Sequence, residues 1–252
     1  MWPAYLLNLA ANTERLRNSK AQFIGLSIPF ERINAINGKM LSEKEIENVY
    51  DAKANRHHAR SSLVASEIGC YLSHVEAWKK IAQGEFKGGF IFEDDFRASD
   101  NLGIVMELLS EDLSGWDMVK LFSLNANPKI ITRRPLGANH VIAMPYRVPT
   151  CLIGYGLRKS AAQRLLDCSI PFFRPVDEDQ KFFWETGLRV ALVLPPPITI
   201  GNQQTVTGTI GEERRAAKPT QLTERMIRGI RNLLYQIRYT TLLHWHRAIR
   251  WR

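Results

Sequence analysis

Short apolar runs alternate with stretches of helical periodicity from residue 4 to residue 194, and few folds satisfy such a pattern. The runs lie at 4–9, 28–33, 90–92, 117–122, 148–154 and 190–194. Each suits a buried strand and is too short for a helix. Between them, Asn12-Thr13-Glu14-Arg15 supplies helix-start chemistry for a segment that Gly25 is placed to end. Ser42 followed three residues later by Glu45 is a capping-box pattern, opening a polar surface stretch that runs to residue 60. Apolar residues at 68, 71, 72, 75 and 78 recur at helical spacing, carrying a helix to residue 82. Further helices are predicted at 100–113, 159–167 and 182–187, with turns at Asn37-Gly38 and Gly88-Gly89 and a stop at Pro195-Pro196-Pro197. Strands separated by helices predict an α/β fold whose central sheet is mostly parallel and flanked by helices.

Charge divides the chain. Of the net +9, +7 lies between residues 212 and 252, where ten Arg or Lys stand against three Glu. Residues 1–211 are therefore near neutral and are predicted to form the main domain, with 212–252 a basic, amphipathic helical tail. A nucleic-acid partner would require a basic stripe within the fold itself, so none is expected. No run approaches the roughly 20 apolar residues of a membrane-spanning helix. The opening residues lack the basic n-region of a signal peptide, so a cytoplasmic chain is expected. Cys70, Cys151 and Cys168 have no metal-ligand spacing and sit among apolar neighbours, which predicts buried free thiols.

The chemistry concentrates at Glu93-Asp94-Asp95, directly after Phe90-Ile91-Phe92. Three adjacent carboxylates repel one another and lose hydration beside a core. A divalent cation relieves both costs, and Mg²⁺ commonly takes one or two carboxylates, filling its other positions with water and phosphate oxygens. In open α/β sheets ligands gather outside the carboxyl ends of the strands, where this trio falls. A solvated acidic turn is the alternative reading of the tripeptide by itself.

The surrounding residues separate the two. Ser66-Glu67-Ile68-Gly69-Cys70-Tyr71-Leu72-Ser73-His74, followed by Phe92-Glu93-Asp94-Asp95, resembles glycosyltransferase family 25, the lipooligosaccharide galactosyltransferases of Gram-negative bacteria and their collagen-modifying relatives. Tyr5-Leu6-Leu7-Asn8-Leu9, Thr13-Glu14-Arg15, Pro29-Phe30-Glu31-Arg32 and Ala35-Ile36-Asn37-Gly38 are similar to the family's opening strand, helix and turn. Pro175-Val176-Asp177 is similar to its second acidic motif, and Gln203 and Thr209-Ile210 are fainter echoes of its end. Two segments depart from the family pattern, one at 150–156 and the other Glu178-Asp179-Gln180. The resemblance implies a GT-A-like nucleotide-sugar-binding fold and an inverting, metal-dependent hexosyltransferase. It implies a UDP-sugar donor, UDP-galactose before UDP-glucose or a UDP-N-acetylhexosamine, and a lipooligosaccharide or LPS glycan acceptor. It further implies Mn²⁺ or Mg²⁺ at Glu93, Asp94 and Asp95, bridging the donor diphosphate.

On that reading Asp177 and Asp179 are the candidates for a further metal contact or for the base that accepts the acceptor hydroxyl's proton, Asp177 before Asp179 as the base. Helix N-terminal carboxylates favoured by the macrodipole are the alternative. Asn8, Arg15, Glu67, Ser73, His74 and Asp94 are candidates for holding the donor. Glu67 and His74 are seven residues apart and share a helical face, though a histidine in an apolar helix also serves as a core residue and Arg15 as a surface cation. The tail mixes Ile227, Ile230, Leu234, Ile237 and Trp245 with many Arg, which suits a peripheral helix on the anionic cytoplasmic face of the inner membrane, near a glycolipid acceptor. Packing on the main domain is the alternative. A nucleotidyltransferase or metal phosphohydrolase would show a Gly-rich phosphate loop or additional His ligands, and the sequence has neither. A non-catalytic surface-binding module leaves the acidic trio unexplained.

Overall fold

The computed structural model describes residues 1–112, 114–201, 209–217 and 222–250; Gln203 and Trp251 lie outside the described residues. The first half runs β1 (Ala4–Asn8), α1 (Thr13–Gly25), β2 (Phe30–Asn34), α2 (Glu43–Val49), α3 (Ala52–His58), α4 (Ala65–Gln83), β3 (Gly88–Glu93), β4 (Phe96–Ala98) and α5 (Leu102–Glu111). The second half runs β5 (Met118–Lys120), β6 (Ile130–Gly137), β7 (His140–Pro145), β8 (Gly154–Arg158), α6 (Lys159–Cys168), α7 (Val176–Asp179), α8 (Phe183–Thr186), β9 (Val190–Leu194) and β10 (Ile198–Ile200). Two further helices, α9 (Thr209–Ala216) and α10 (Leu222–Arg250), follow.

Eight strands form one sheet in the order β2-β1-β3-β8-β5-β9-β7-β6, and β4 pairs with β10 apart from it. This is the expected α/β architecture, a central sheet flanked by helices. The sheet is parallel at β1–β2, β1–β3 and β5–β9. It is antiparallel where β8 joins β3 to β5 and where the β6–β7 hairpin meets β9. Sequence patterning misses that hairpin because β6 carries Arg133, Arg134 and Pro135 on the outer edge of the sheet, where an apolar run would be a liability. Its two-residue loop, Ala138-Asn139, has φ of 49° and 62°, the left-handed pair of a tight hairpin turn.

Side chains alternate along β1 and β3. Tyr5, Leu7 and Ile91 enter one apolar cluster with α4 and α6, while Leu6, Phe90 and Phe92 enter another with Phe23 of α1 and Val105 of α5. Burial on both faces is why these strands read as continuous apolar runs. Polar side chains first appear at their carboxyl ends, at Asn8 and Glu93.

Two expectations are corrected. Gly88 and Gly89 are the first residues of β3 rather than a turn; a Cβ on Gly88 would stand 2.4 Å from the Trp2 ring, so close approach requires the glycine. The run at 148–154 is a loop until Gly154, where β8 begins. The capping box at Ser42 and Glu45 is present.

The tail is joined to the body. Tyr235, Tyr239 and Leu243 of α10 are buried in the cluster that contains α4 and α6. Arg247 donates to the carbonyls of Pro145 and Tyr146 at 2.7 and 3.0 Å. The opposite face leaves Ile227, Ile230, Leu234, Ile237 and Trp245 more than half exposed. Among the described residues no helix is long and apolar enough to cross a membrane.

Candidate active site

The acidic trio splits because consecutive residues leaving a strand point to different sides. Asp94 turns toward α1. Its Oδ2 accepts from Asn8 Nδ2 at 2.6 Å, its Oδ1 pairs with Arg15 at 2.9 Å, and its carbonyl accepts from Ser19 at 3.1 Å. Arg32 donates to Asn8 Oδ1 at 3.1 Å, completing a chain of side chains across the ends of β2, β1 and β3. Burial pushes the Asp94 carboxyl up, while Asn8 and Arg15 favour its anion.

Glu93 points the other way, under α4. Its Oε1 lies 3.1 Å from His74 Nε2, and His74 Nδ1 lies 2.9 Å from the Tyr155 hydroxyl. Trp78 donates to that hydroxyl at 2.8 Å. Tyr155 accepting from Trp78 and donating to Nδ1 leaves the His74 proton on Nε2, aimed at Glu93. His74 is fully buried, so it serves as a core residue that orients a cleft carboxylate. Burial raises the Glu93 carboxyl, His74 opposes that shift, and the charges of Asp95 and Asp177 add to it. Cys70, His74 and Glu93 place one ligand atom each within 4.8 Å of one another.

Asp177 and Asp179 are separated in the same manner. The Cys151 N–H donates to Asp177 Oδ2 at 3.1 Å, and Asp177 lines a cavity with Glu93. Asp179 faces the interior, where Tyr71 donates to its Oδ2 at 2.7 Å and Arg174 Nε to its Oδ1 at 2.8 Å. Arg174 also pairs with Glu185. Asp179 therefore lies outside the cleft, in a structural network.

Of the remaining candidates, Glu67 is buried; its Oε2 accepts from Val64 N–H at 3.0 Å to close the start of α4, and its Oε1 pairs with Arg214. Ser73 accepts from Ile36 N–H at 2.8 Å and donates to Gly69 O at 2.7 Å, tying α4 to the segment after β2. That contact is close: a Cβ on Gly69 would lie 2.4 Å from Gly38 N.

Two adjoining cavities share Cys70, Glu93 and Ile210. One, of about 120 Å³, is lined by Asn12, Arg15, Asn37, Ser73 and Asp94. The other, of about 260 Å³, is lined by Glu67, Cys151, Pro175, Asp177 and Arg214. Cys70 and Cys151 are thus partly buried wall residues and Cys168 is exposed, where three buried thiols were expected. Cys151 sits at φ 74°, a left-handed conformation that costs a non-glycine residue on the order of 1 kcal/mol and here aims its N–H at Asp177.

Sequence reasoning missed Lys120. It is fully buried in β5 and donates to the carbonyls of Pro149 and Thr150, the latter at 3.1 Å, bracing the loop that presents Cys151. Burial lowers its ammonium to about 8, against the pull of Cys151, Asp177 and Glu93. A lone cation inside Met118-Val119-Lys120-Leu121 was the available signal, since lysine is seldom fully buried without a partner.

The model of glycosyltransferase family 25 (LPS biosynthesis protein) matches residues 1–179, which include both acidic motifs. The chain belongs to this family. Similar curated proteins include the human inactive glycosyltransferase 25 family member 3, 29% identical over 188 residues. Procollagen galactosyltransferases 1-A and 1-B of Xenopus laevis are 28% and 26% identical over 185 and 183 residues. Each match covers 69% of this chain and 30% of the relative, so the chain spans less than a third of the curated relatives it matches.

Proposed function

We propose that this family 25 chain is an inverting, metal-dependent hexosyltransferase that takes galactose from UDP-galactose and transfers it to a bacterial surface glycan. The observation that carries this reading is the pair of cavities sharing Glu93, with Asp177 walling the second. Glu93 would be the carboxylate that holds a divalent cation: its carboxyl is raised first by burial and then by the charges of Asp95 and Asp177, and a positive ion would offset those costs. Bound Mn²⁺ or Mg²⁺ would neutralise the charge that develops on the leaving diphosphate.

The chain's own residues supply the rest. The first cavity, with Asn12, Arg15 and Asn37, receives the nucleotide. His74 fixes Glu93, and Arg15 with Asn8 fixes Asp94, so neither carboxylate reorganises as the donor arrives. Asp177 accepts the proton of the acceptor hydroxyl while that oxygen attacks the anomeric carbon from the face opposite the departing UDP. Cys151 N–H holds the carboxylate in place.

A donor screen tests this reading. UDP release is measured from UDP-galactose, UDP-glucose and UDP-N-acetylhexosamines with Mn²⁺ or Mg²⁺, with and without glycolipid. Release that is fastest from UDP-galactose and requires metal is expected; no release from any donor overturns it. An absence of release would parallel the human relative, whose name calls that protein inactive.

The outer face of α10 supports a second element of the reading, peripheral contact with an anionic bilayer on the cytoplasmic side. Ile230, Leu234, Ile237 and Trp245 are exposed on the face away from Tyr235 and Tyr239, in a tail of net positive charge. Cosedimentation with phosphatidylglycerol vesicles is expected to fall several-fold for Ile230→Ser/Ile237→Ser; unchanged binding would remove this element.

A further inference from the structure

Beyond Pro175 and Arg214, which wall the Asp177 cavity, a larger cavity of about 570 Å³ opens. It lies between the segment after α3, the start of α7, α9 and the first turns of α10. Among the described residues four arginines line it, Arg60, Arg214, Arg225 and Arg228, against one acid, Glu178. Glu178 is buried and engaged by Arg60 and by the Tyr235 hydroxyl, which donates to it at 3.4 Å. Arg214 is engaged by Glu67. Arg225 and Arg228, three apart and so neighbours on the α10 surface, form no ion pair among the described residues. The excess of positive charge extends to Lys181, whose ammonium is lowered to about 8 by burial and then by Arg60, despite the opposing charge of Asp177.

We propose that this arginine-lined cavity is the acceptor subsite and selects a saccharide bearing a phosphate or carboxylate. The inference rests on the transferase reading above and adds the acceptor's chemical class. Guanidinium groups meet phosphate and carboxylate oxygens with paired N–H donors, whereas a neutral sugar leaves those donors and their charge unanswered. The shared wall gives the direction. An anion held by Arg225 and Arg228 leaves the remainder of its sugar to extend past Pro175 toward Asp177, where the acceptor hydroxyl loses its proton.

Calorimetric titration of the full chain tests it with three probes, glucose 6-phosphate, glucose and inorganic phosphate, each with and without saturating UDP and Mn²⁺. Glucose 6-phosphate is expected to bind in both conditions, inorganic phosphate several-fold more weakly, and glucose not measurably. Arg225→Ala/Arg228→Ala is expected to weaken glucose 6-phosphate about tenfold or more. The variant's thermal midpoint and UDP affinity should be unchanged, since both arginines are exposed and surrender no ion pair among the described residues. Equal affinity in the variant, equal affinity for inorganic phosphate, or abolition of hexose-phosphate binding by UDP would each overturn the proposal. Failure of UDP to bind while the arginine-dependent hexose-phosphate signal persists counts against the transferase reading and leaves the anion site standing.

Discussion

Asp177 and Asp179 lie on one turn of α7, yet one faces a cleft in which acids crowd and the other a network in which each charge is met. Asp177 shares its cavity wall with Glu93, whose carboxyl is raised first by burial and then by the charges of Asp95 and Asp177. The Cys151 N–H donates to Asp177, His74 faces Glu93, and the buried Lys120 and half-buried Lys181 act on Asp177 without pairing to it among the described residues. Around Asp179 stand Arg174 and Tyr71, and Glu185 takes the remaining side of the guanidinium. Arg174 also lies 3.8 Å from the Phe182 ring centroid, so the second group is closed by packing as well as by charge. A fold keeps a crowded set of acids where a ligand supplies the missing cation, and a balanced set where it needs rigidity.

Substitution at these two aspartates breaks or sharpens that contrast most directly. Asp177→Asn is expected to lower UDP-sugar turnover by about 10²- to 10⁴-fold, the usual worth of a positioned base, with the urea midpoint unchanged. Asp179→Asn is expected to do the reverse, costing about 2 kcal/mol in urea unfolding while retaining most turnover per folded molecule. Exchange of those outcomes would invert the assignment. Next in size, saturating Mn²⁺ is expected to stabilise the wild type by about 2.7 kcal/mol at a hundred times its dissociation constant, and Glu93→Gln to lose most of that gain. Thermal shifts in matched buffers measure it, and an equal shift in the variant would move the ion elsewhere.

The smallest effect concerns Lys120, the cation behind the cleft. Its folded-state value of about 8 lies below the ordinary lysine value of 10.5. Between these two values the unfolded chain holds the proton more firmly, so stability rises with pH across that window and the buried charge is a cost below it. Urea unfolding at pH 7.5 and 9.5 is expected to show the wild type gaining on Lys120→Met as pH rises. A parallel response would mean that the ammonium is not strained by burial.

The parts of the fold built from alternating patterns were legible in the sequence. β1, α1, α4, β3 and β9 follow from apolar spacing and helix-start residues, since burial of whole faces leaves a periodic trace. The β6–β7 hairpin left no such trace because an edge strand is selected against apolar runs. At the site, Glu93 and Asp177 were singled out and the structure brings them to one cavity. That Asp94 and Asp179 turn to Arg15 and Arg174 was not readable, because ion pairing between residues 79 apart or across a turn depends on side-chain direction and not on composition. The contribution of α10 was readable only by halves: its basic and apolar residues are evident, but which apolar stripe meets the domain is decided by Tyr235, Tyr239 and Leu243 finding the cluster around α4.

The position of β9 has a consequence for how this molecule is made. The family match ends at residue 179, but β9 lies between β5 and β7, in parallel with one and antiparallel to the other. A chain cut at that boundary would keep the motifs that name the family and lose the strand that bridges its sheet. The hairpin would be left without an anchor and β5 with one bare edge, a template for pairing with other chains. On the ribosome the sheet stays split until residues 190–194 emerge, so the last main strand synthesised is the keystone of the first ones' arrangement. The motif-bearing segment is thus a unit of recognition and not a unit of folding.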